Sequence, residues 1–257
     1  MDLDLGLFDL SGRTAIVTGS GRGLGKAMAR GLAGAGAQVV ICARSAGEVT
    51  GTTAGIVAAG GSAHGIVFDA ARRSECRRLI DETLARFGGL DVMVVNHGSG
   101  ASAPAEDLTD AQWEANIQGN LTSAFYACQE AARTMIAQSR GGSIVVTSST
   151  GSLVGFEGLL AFGASKGGVD QMVRHMAMEW GRHGIRVNAI NPGWTTHPPS
   201  AVGSEDDPAE QAIARRTPLG RRGRPEEMAG PAIFLASQAS SFVTGITLVA
   251  DGGWCAV

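Results

Sequence analysis

The chain has 257 residues, 44% hydrophobic and 18% charged, enough to bury the core of one large domain. Its net charge of −3 implies no polyanion-binding surface, which argues against nucleic acid as a partner. No apolar run approaches the roughly 18 residues that a membrane span needs, and the short acidic opening MDLDLGLFDLSG is unlike a secretory leader. Cys42, Cys76, Cys128 and Cys255 show neither CxxC nor Cys/His ligand spacing, so free structural thiols in a reducing, cytoplasmic setting are expected, with no metal site.

Arg13–Thr18 (RTAIVT) reads as a buried strand, followed by Gly19-Ser20-Gly21-Arg22-Gly23-Leu24-Gly25 and a helical stretch, Lys26–Ala35. A glycine turn between strand and helix lets the backbone approach a pyrophosphate, while the helix N-terminus offers amide donors and a positive dipole end. Gly19, Gly21, Arg22, Gly23 and Leu24 are therefore expected to hold a cofactor. Gln38–Ala43 (QVVICA) is the second strand. Its end should face the adenosine ribose, where an acidic residue would take the 2′-hydroxyl of NAD. Here Ala43 and Arg44 leave room and charge for a 2′-phosphate, with Arg22 as a second cation, so NADP(H) is expected in preference to NAD(H). Ala63–Phe68 is the third strand, with His64 structural. It ends in Asp69, expected to contact the adenine amino group, to cap the helix Arg72–Phe87, or both.

Leu90–Val95 is the fourth strand and opens into Asn96-His97-Gly98. One long helix is expected over Asp110–Gln138, carrying Asn116 and Asn120. Gly142–Ser148 is the fifth strand, leading to Ser149, and the helix Leu160–His183 sets Phe162 and Lys166 one turn apart on one face. Ile185–Ile190 is the sixth strand, followed by Asn191-Pro192-Gly193-Trp194. Residues 195–216, rich in Pro, Ser and Asp, are expected as a mobile substrate loop with a short helix. A helix over Pro225–Ala236 and a last strand, Ile246–Val249, close the chain before Asp251-Gly252-Gly253. Seven strands alternating with helices imply a single-domain α/β doubly wound Rossmann fold over residues 1–257, with a parallel sheet. The candidate residues all fall beyond the carboxyl ends of its strands, where such sheets bind ligands. A hydroxyl, an aromatic ring and an ammonium at Ser149, Phe162 and Lys166 are the layout of a carbonyl/alcohol oxidoreductase, except that Phe162 carries no proton.

The sequence resembles the short-chain dehydrogenase/reductase (SDR) family over essentially its whole length. Thr18–Gly25 matches TGxxxGxG, and Asn96-His97-Gly98 resembles the tail of NNAG, with Val95 for the first Asn and His97 for Ala. Asn120, Ser149 and Lys166 fall at the family spacing, and Asn191-Pro192-Gly193 and the stretch from Arg221 to Asp251-Gly252-Gly253 are similar too. The opening LFDLSGRTAIVTGS resembles the gluconate 5-dehydrogenase-like branch.

The resemblance implies hydride transfer between NADP(H) and a small-molecule ketone or secondary alcohol. It gives Ser149 the substrate oxygen, Lys166 the nicotinamide ribose and the acidification of a tyrosine phenol, and Asn120 a proton-supplying water chain. Asn96, Gly98, Pro192, Gly193 and Thr195 are implied cofactor contacts. The family's threonine five residues after Pro192 is His197 here, so Thr196 could serve only with a one-residue shift. A homotetramer is implied, with the helices over 110–138 and 160–183 at an interface.

Phe162 stands where the family has tyrosine, and Tyr126, the one tyrosine, reads as packing. General acid–base catalysis is worth roughly 10²–10⁴-fold, so turnover is expected to be impaired. The substitution fits an inactivated variant, a natural non-redox or silent NADP(H)-binding protein, or a reductase with His97 as donor. His97 is expected instead to line the pocket with backbone hydrogen bonds, and Phe156 and Trp194 to wall it.

Overall fold

The computed structural model describes residues 5–98, 100–196, 202–204 and 207–256. Its β-branched runs form one sheet of seven parallel strands: Thr14–Thr18 (β1), Gln38–Ala43 (β2), Ser62–Val67 (β3), Val92–Val95 (β4), Gly142–Thr147 (β5), Ile185–Pro192 (β6) and Thr247–Ala250 (β7). Strand bounds agree with the sequence reading to within two residues. The helices are Gly23–Gly34 (α1), Ala46–Ala58 (α2), Arg73–Phe87 (α3), Asp110–Asn116 (α4), Ser123–Gln138 (α5), Leu160–Trp180 (α6), Pro208–Arg216 (α7) and Ala229–Ala236 (α8). The strand order is β3-β2-β1-β4-β5-β6-β7. The chain winds outward from β1 to β3, then crosses back to β4. The loops after β1 and β4 therefore diverge at a switch point, where such a sheet opens a crevice.

Parallel strands are covered on both faces, so alternate residues of each feed two cores. On β4, Met93 and Val95 join the core under α3, α5 and α6, whereas Val92 and Val94 join the core under α1, α2 and α8. Each fully buried Met, Ile or Leu contributes about 1.5–3 kcal/mol of transfer free energy. That double cladding is why the strands read as continuous apolar runs.

Two elements depart from expectation. The helix expected over 110–138 is broken by a π-helical turn, Ile117–Thr122, between α4 and α5. Its wider winding places Asn120 inside the protein, 1% exposed. Helix α2 has no clear sequence signal, since AGEVTGTTAGIVA is rich in glycine and threonine, both poor helix formers. Ser45 starts it by accepting from Glu48 N (3.4 Å), and burial of Val49, Thr52 and Ile56 holds it down. A Cβ on Gly51 or Gly55 would meet nothing within 4 Å. The double variant Gly51→Ala/Gly55→Ala should therefore raise the unfolding free energy by about 1–2 kcal/mol. Guanidinium denaturation checks this; a lower midpoint would contradict it.

Candidate active site

The loop after β1 is held rigidly from behind. Ser20 Oγ donates to Val17 O (2.6 Å) and accepts from Cys42 N (2.9 Å), while Thr52 Oγ1 donates to Gly21 O (2.9 Å). Gly19 takes φ +64°, a backbone suited to glycine, and a Cβ there would lie 3.1 Å from His97 Cα. Arg22 precedes α1 without a side-chain cap, so the first amides of that helix keep their donors for an anion. Leu24 packs partly buried against the α1 side of the core. Arg44 is exposed at the end of β2, with no hydrogen bond or ion pair among the described residues. Arg22 is not equally available, because its Nη1 lies 3.7 Å from Glu48 Oε1. Asp69 Oδ1 accepts from Ala71 N (3.1 Å) and its Oδ2 lies 3.6 Å from Arg72 Nε. It caps the turn before α3 rather than the helix itself, which corrects the expected helix cap.

The candidate catalytic groups gather where β1, β4 and β5 end. Asn96 joins two of those ends, donating from Nδ2 to Gly19 O (3.3 Å) and accepting from Thr147 Oγ1 (3.2 Å). Ser149 follows β5 and accepts from Gly151 N (3.1 Å). Phe162 lies in the first turn of α6 and Lys166 in the second. Ser149 Oγ and the Phe162 ring flank Gly151, since a Cβ there would stand 3.5 Å from the one and 3.6 Å from the other. Lys166 is 5% exposed; its Nζ donates to Thr147 O (2.9 Å) and lies 5.7 Å from the Phe162 ring centroid. Burial pushes its ammonium down to about 8, and the carboxylate of Asp170, one turn further along α6, opposes that shift. Asn120 donates to Ser165 Oγ (3.1 Å), and Ser165 donates to Phe162 O (2.7 Å). Gly98 lies against both Asn120 and Lys166, where a Cβ would come 2.7 Å from Asn120 Oδ1 and 3.5 Å from Lys166 Nζ. Among the described residues no cluster could hold a metal ion.

A family model described as enoyl-(acyl carrier protein) reductase matches residues 19–255. Gluconate 5-dehydrogenase of Gluconobacter oxydans (strain 621H) is 36% identical over 96% of each chain. The 3beta-hydroxysteroid dehydrogenase 1 of Eggerthella lenta is 37% identical over 95% of this chain and 94% of its own. The crystal structure of a gluconate 5-dehydrogenase from Burkholderia cenocepacia J2315, in complex with NADP and tartrate, superposes with a TM-score of 0.92 at 37% identity, covering 98% of each chain. The chain belongs to the short-chain dehydrogenase/reductase family. Its relatives carry dehydrogenase names.

Other candidate residues also lie beyond the strand ends. Pro192 ends β6, and Gly193 N donates to Ala250 O (3.2 Å) while packing on Asp251. Thr195 pairs with Gly223, and its carbonyl accepts from Arg222 Nη1 (3.3 Å). His197 lies outside the described residues, as does part of the expected loop over 195–216. Phe156 and Trp194 do meet, ring edge to face at 5.5 Å, and Trp254 completes an aromatic triad, 6.2 Å from Phe156 and 6.1 Å from Trp194. Sequence reasoning missed Trp254, whose signal was a lone tryptophan three residues beyond Asp251. It also missed Arg222, which binds Glu210 of α7 through two 2.6 Å hydrogen bonds and holds that carboxyl down at about 2. Asp170 was overlooked too, though it sits four residues after Lys166. It accepts from Asn191 Nδ2 (3.1 Å) and from Ser152 Oγ.

His97 is corrected. Its ring bonds side chains rather than backbone: Nδ1 lies 2.8 Å from Thr18 Oγ1, Nε2 lies 2.9 Å from Ser123 Oγ, and the ring edge faces Phe68 of the core. Ser123 Oγ already donates to Gly119 O (2.9 Å), which assigns the imidazole proton to Nε2. Burial, reinforced by the Lys166 ammonium, pushes His97 down to about 3 from the ordinary 6.5. The ring is therefore neutral at physiological pH, with both nitrogens bonded to hydroxyls. Between those two values only the unfolded chain takes up the proton, so stability falls as pH drops through the window. Between pH 6 and 4 the unfolding free energy should fall more steeply than that of His97→Ala by about 1.4 kcal/mol per pH unit. Denaturation at stepped pH reads this; equal slopes would mean that His97 titrates normally in the fold.

Proposed function

We propose that the chain is an NADP(H)-dependent oxidoreductase interconverting a ketone and a secondary alcohol, with turnover impaired by Phe162. The observation that carries this reading is the placement of Ser149 Oγ and Lys166 Nζ about one ring, that of Phe162. The cofactor fits the residues present. The uncapped start of α1 suits a pyrophosphate, unpaired Arg44 suits a 2′-phosphate, and Asn96, Gly98, Pro192, Gly193 and Thr195 border the crevice at the strand ends. When bound, the nicotinamide supplies or accepts the hydride. Ser149 accepts from Gly151 N, which leaves its own hydroxyl proton to donate to the substrate oxygen. Lys166 spends one N–H on Thr147 O and keeps two for the ribose and the proton path. Phe162 fills the place of the proton carrier and transfers nothing.

Restoring the phenol in Phe162→Tyr should raise kcat/KM by roughly 10²–10⁴-fold on responsive substrates. A panel of ketones and secondary alcohols, gluconate-type sugar acids included, measures this, with NADPH affinity followed by fluorescence. If NADPH binds and Phe162→Tyr stays inert throughout, the chain is a silent or non-redox NADP(H)-binding protein. That second reading is favoured only by Phe162 itself. If neither NADPH nor NADH binds, the site reading fails. Arg44→Asp should move the cofactor preference toward NADH by about tenfold or more, and an unchanged ratio would remove Arg44 from the 2′-phosphate site.

The reading includes a homotetramer built through α4–α5 and α6. Partly buried Phe125, Met172 and Trp180 line a groove of about 360 Å³ between α5 and α6, which supports it. Light scattering tests it, and a monomer would refute it. Four unpaired thiols support the cytoplasmic setting.

A further inference from the structure

The sheet has a second charged end. Below the first residues of β1, β4, β5 and β6, opposite the crevice, lies a cavity of about 450 Å³. Its charged lining is Arg13, Arg140 and Arg186 against a single carboxylate, Asp91. Asp91 is 7% exposed and already committed: it accepts from Thr14 N (2.9 Å) and lies 3.3 Å from both Arg13 Nη1 and Arg140 Nη2. Two guanidinium groups thus share one negative charge. Arg186 has none, because its Nη1 donates to Ser240 Oγ (2.6 Å) and its Nη2 to Ser237 O (3.1 Å), both neutral. Burial pushes the Arg186 guanidinium below its ordinary value with no carboxylate to oppose it.

Three arginines against one aspartate leave a formal charge of +2 in this concavity, on a chain whose net charge is −3. A cleft with low-dielectric walls focuses such a field, and a partly buried cation without a counter-ion is costly until an anion reaches it. Arg13 and Arg140 are 46% and 48% exposed, so their forks reach the mouth while Arg186 forms the wall. Guanidinium forks match oxyanions bidentately. We propose that this cavity binds a small multivalent oxyanion of the phosphate type, at a site separate from the cofactor crevice.

Equilibrium dialysis of the full chain with inorganic pyrophosphate, at constant ionic strength set by chloride, tests the proposal. Arg140→Gln keeps Arg13 on Asp91 and should weaken binding by about tenfold or more. Phe242→Glu places a carboxylate on a fully exposed side chain at the rim, breaks no bond described above, and should weaken it similarly. Arg44→Ala removes the cation at the end of β2 and should leave this binding unchanged. Absence of binding at about 10 mM pyrophosphate would overturn the proposal. So would binding that survives both cavity variants, or binding that Arg44→Ala abolishes, which would assign the anion to the cofactor crevice.

Discussion

A buried ammonium organises the carboxyl end of this sheet. Lys166 could not stay charged at 5% exposure without partners, and each partner fixes another element. Its bond to Thr147 O ties α6 to the end of β5. Asp170, one helical turn away, supplies the compensating charge, and Asp170 in turn receives Asn191 from β6 and Ser152 from the turn that carries Ser149. Asn191 also donates to Ser149 O (2.9 Å), so the loop bearing the Ser149 hydroxyl is positioned by the network that neutralises the lysine. One oxygen of Asp170 and the side-chain oxygen of Asn191 remain buried without partners, which marks the network as polar beyond what packing requires.

The ring of Phe162 supports the same ammonium. The ring presents its face to the ammonium at 5.7 Å, an attraction worth about 0.5–2 kcal/mol, and needs no hydroxyl to do so. Phe162 therefore adds electrostatic support to Lys166 from a ring that carries no polar group of its own.

The strands were legible in the sequence because residues such as Met93 and Val94 are buried on opposite faces, which leaves no polar alternation. The glycine turn, Ser149 and Lys166 were legible because local context fixes them: a strand end, a turn and a helical face. What was illegible depends on tertiary direction. Nothing in the chain near His97 says that its ring turns toward Thr18 and Ser123. The π-helical turn around Asn120 is a backbone choice that side-chain periodicity does not encode, and helix α2 forms through burial of Val49 and Ile56 against its own propensity. Trp254 joins the aromatic triad only because β7 returns the chain to the end of β6.

The same strands connect the two charged ends of the sheet. Arg13 precedes β1, which ends at Thr18; Asp91 and Asn96 flank β4; β5 ends at Thr147; and β6 carries both Arg186 and Asn191. These strands are clad on both sides by close-packed cores, which resist deformation. An anion below the sheet and the chemistry above it share a scaffold and remain geometrically independent, and the rigidity that holds Ser149, Phe162 and Lys166 in place is what keeps them so.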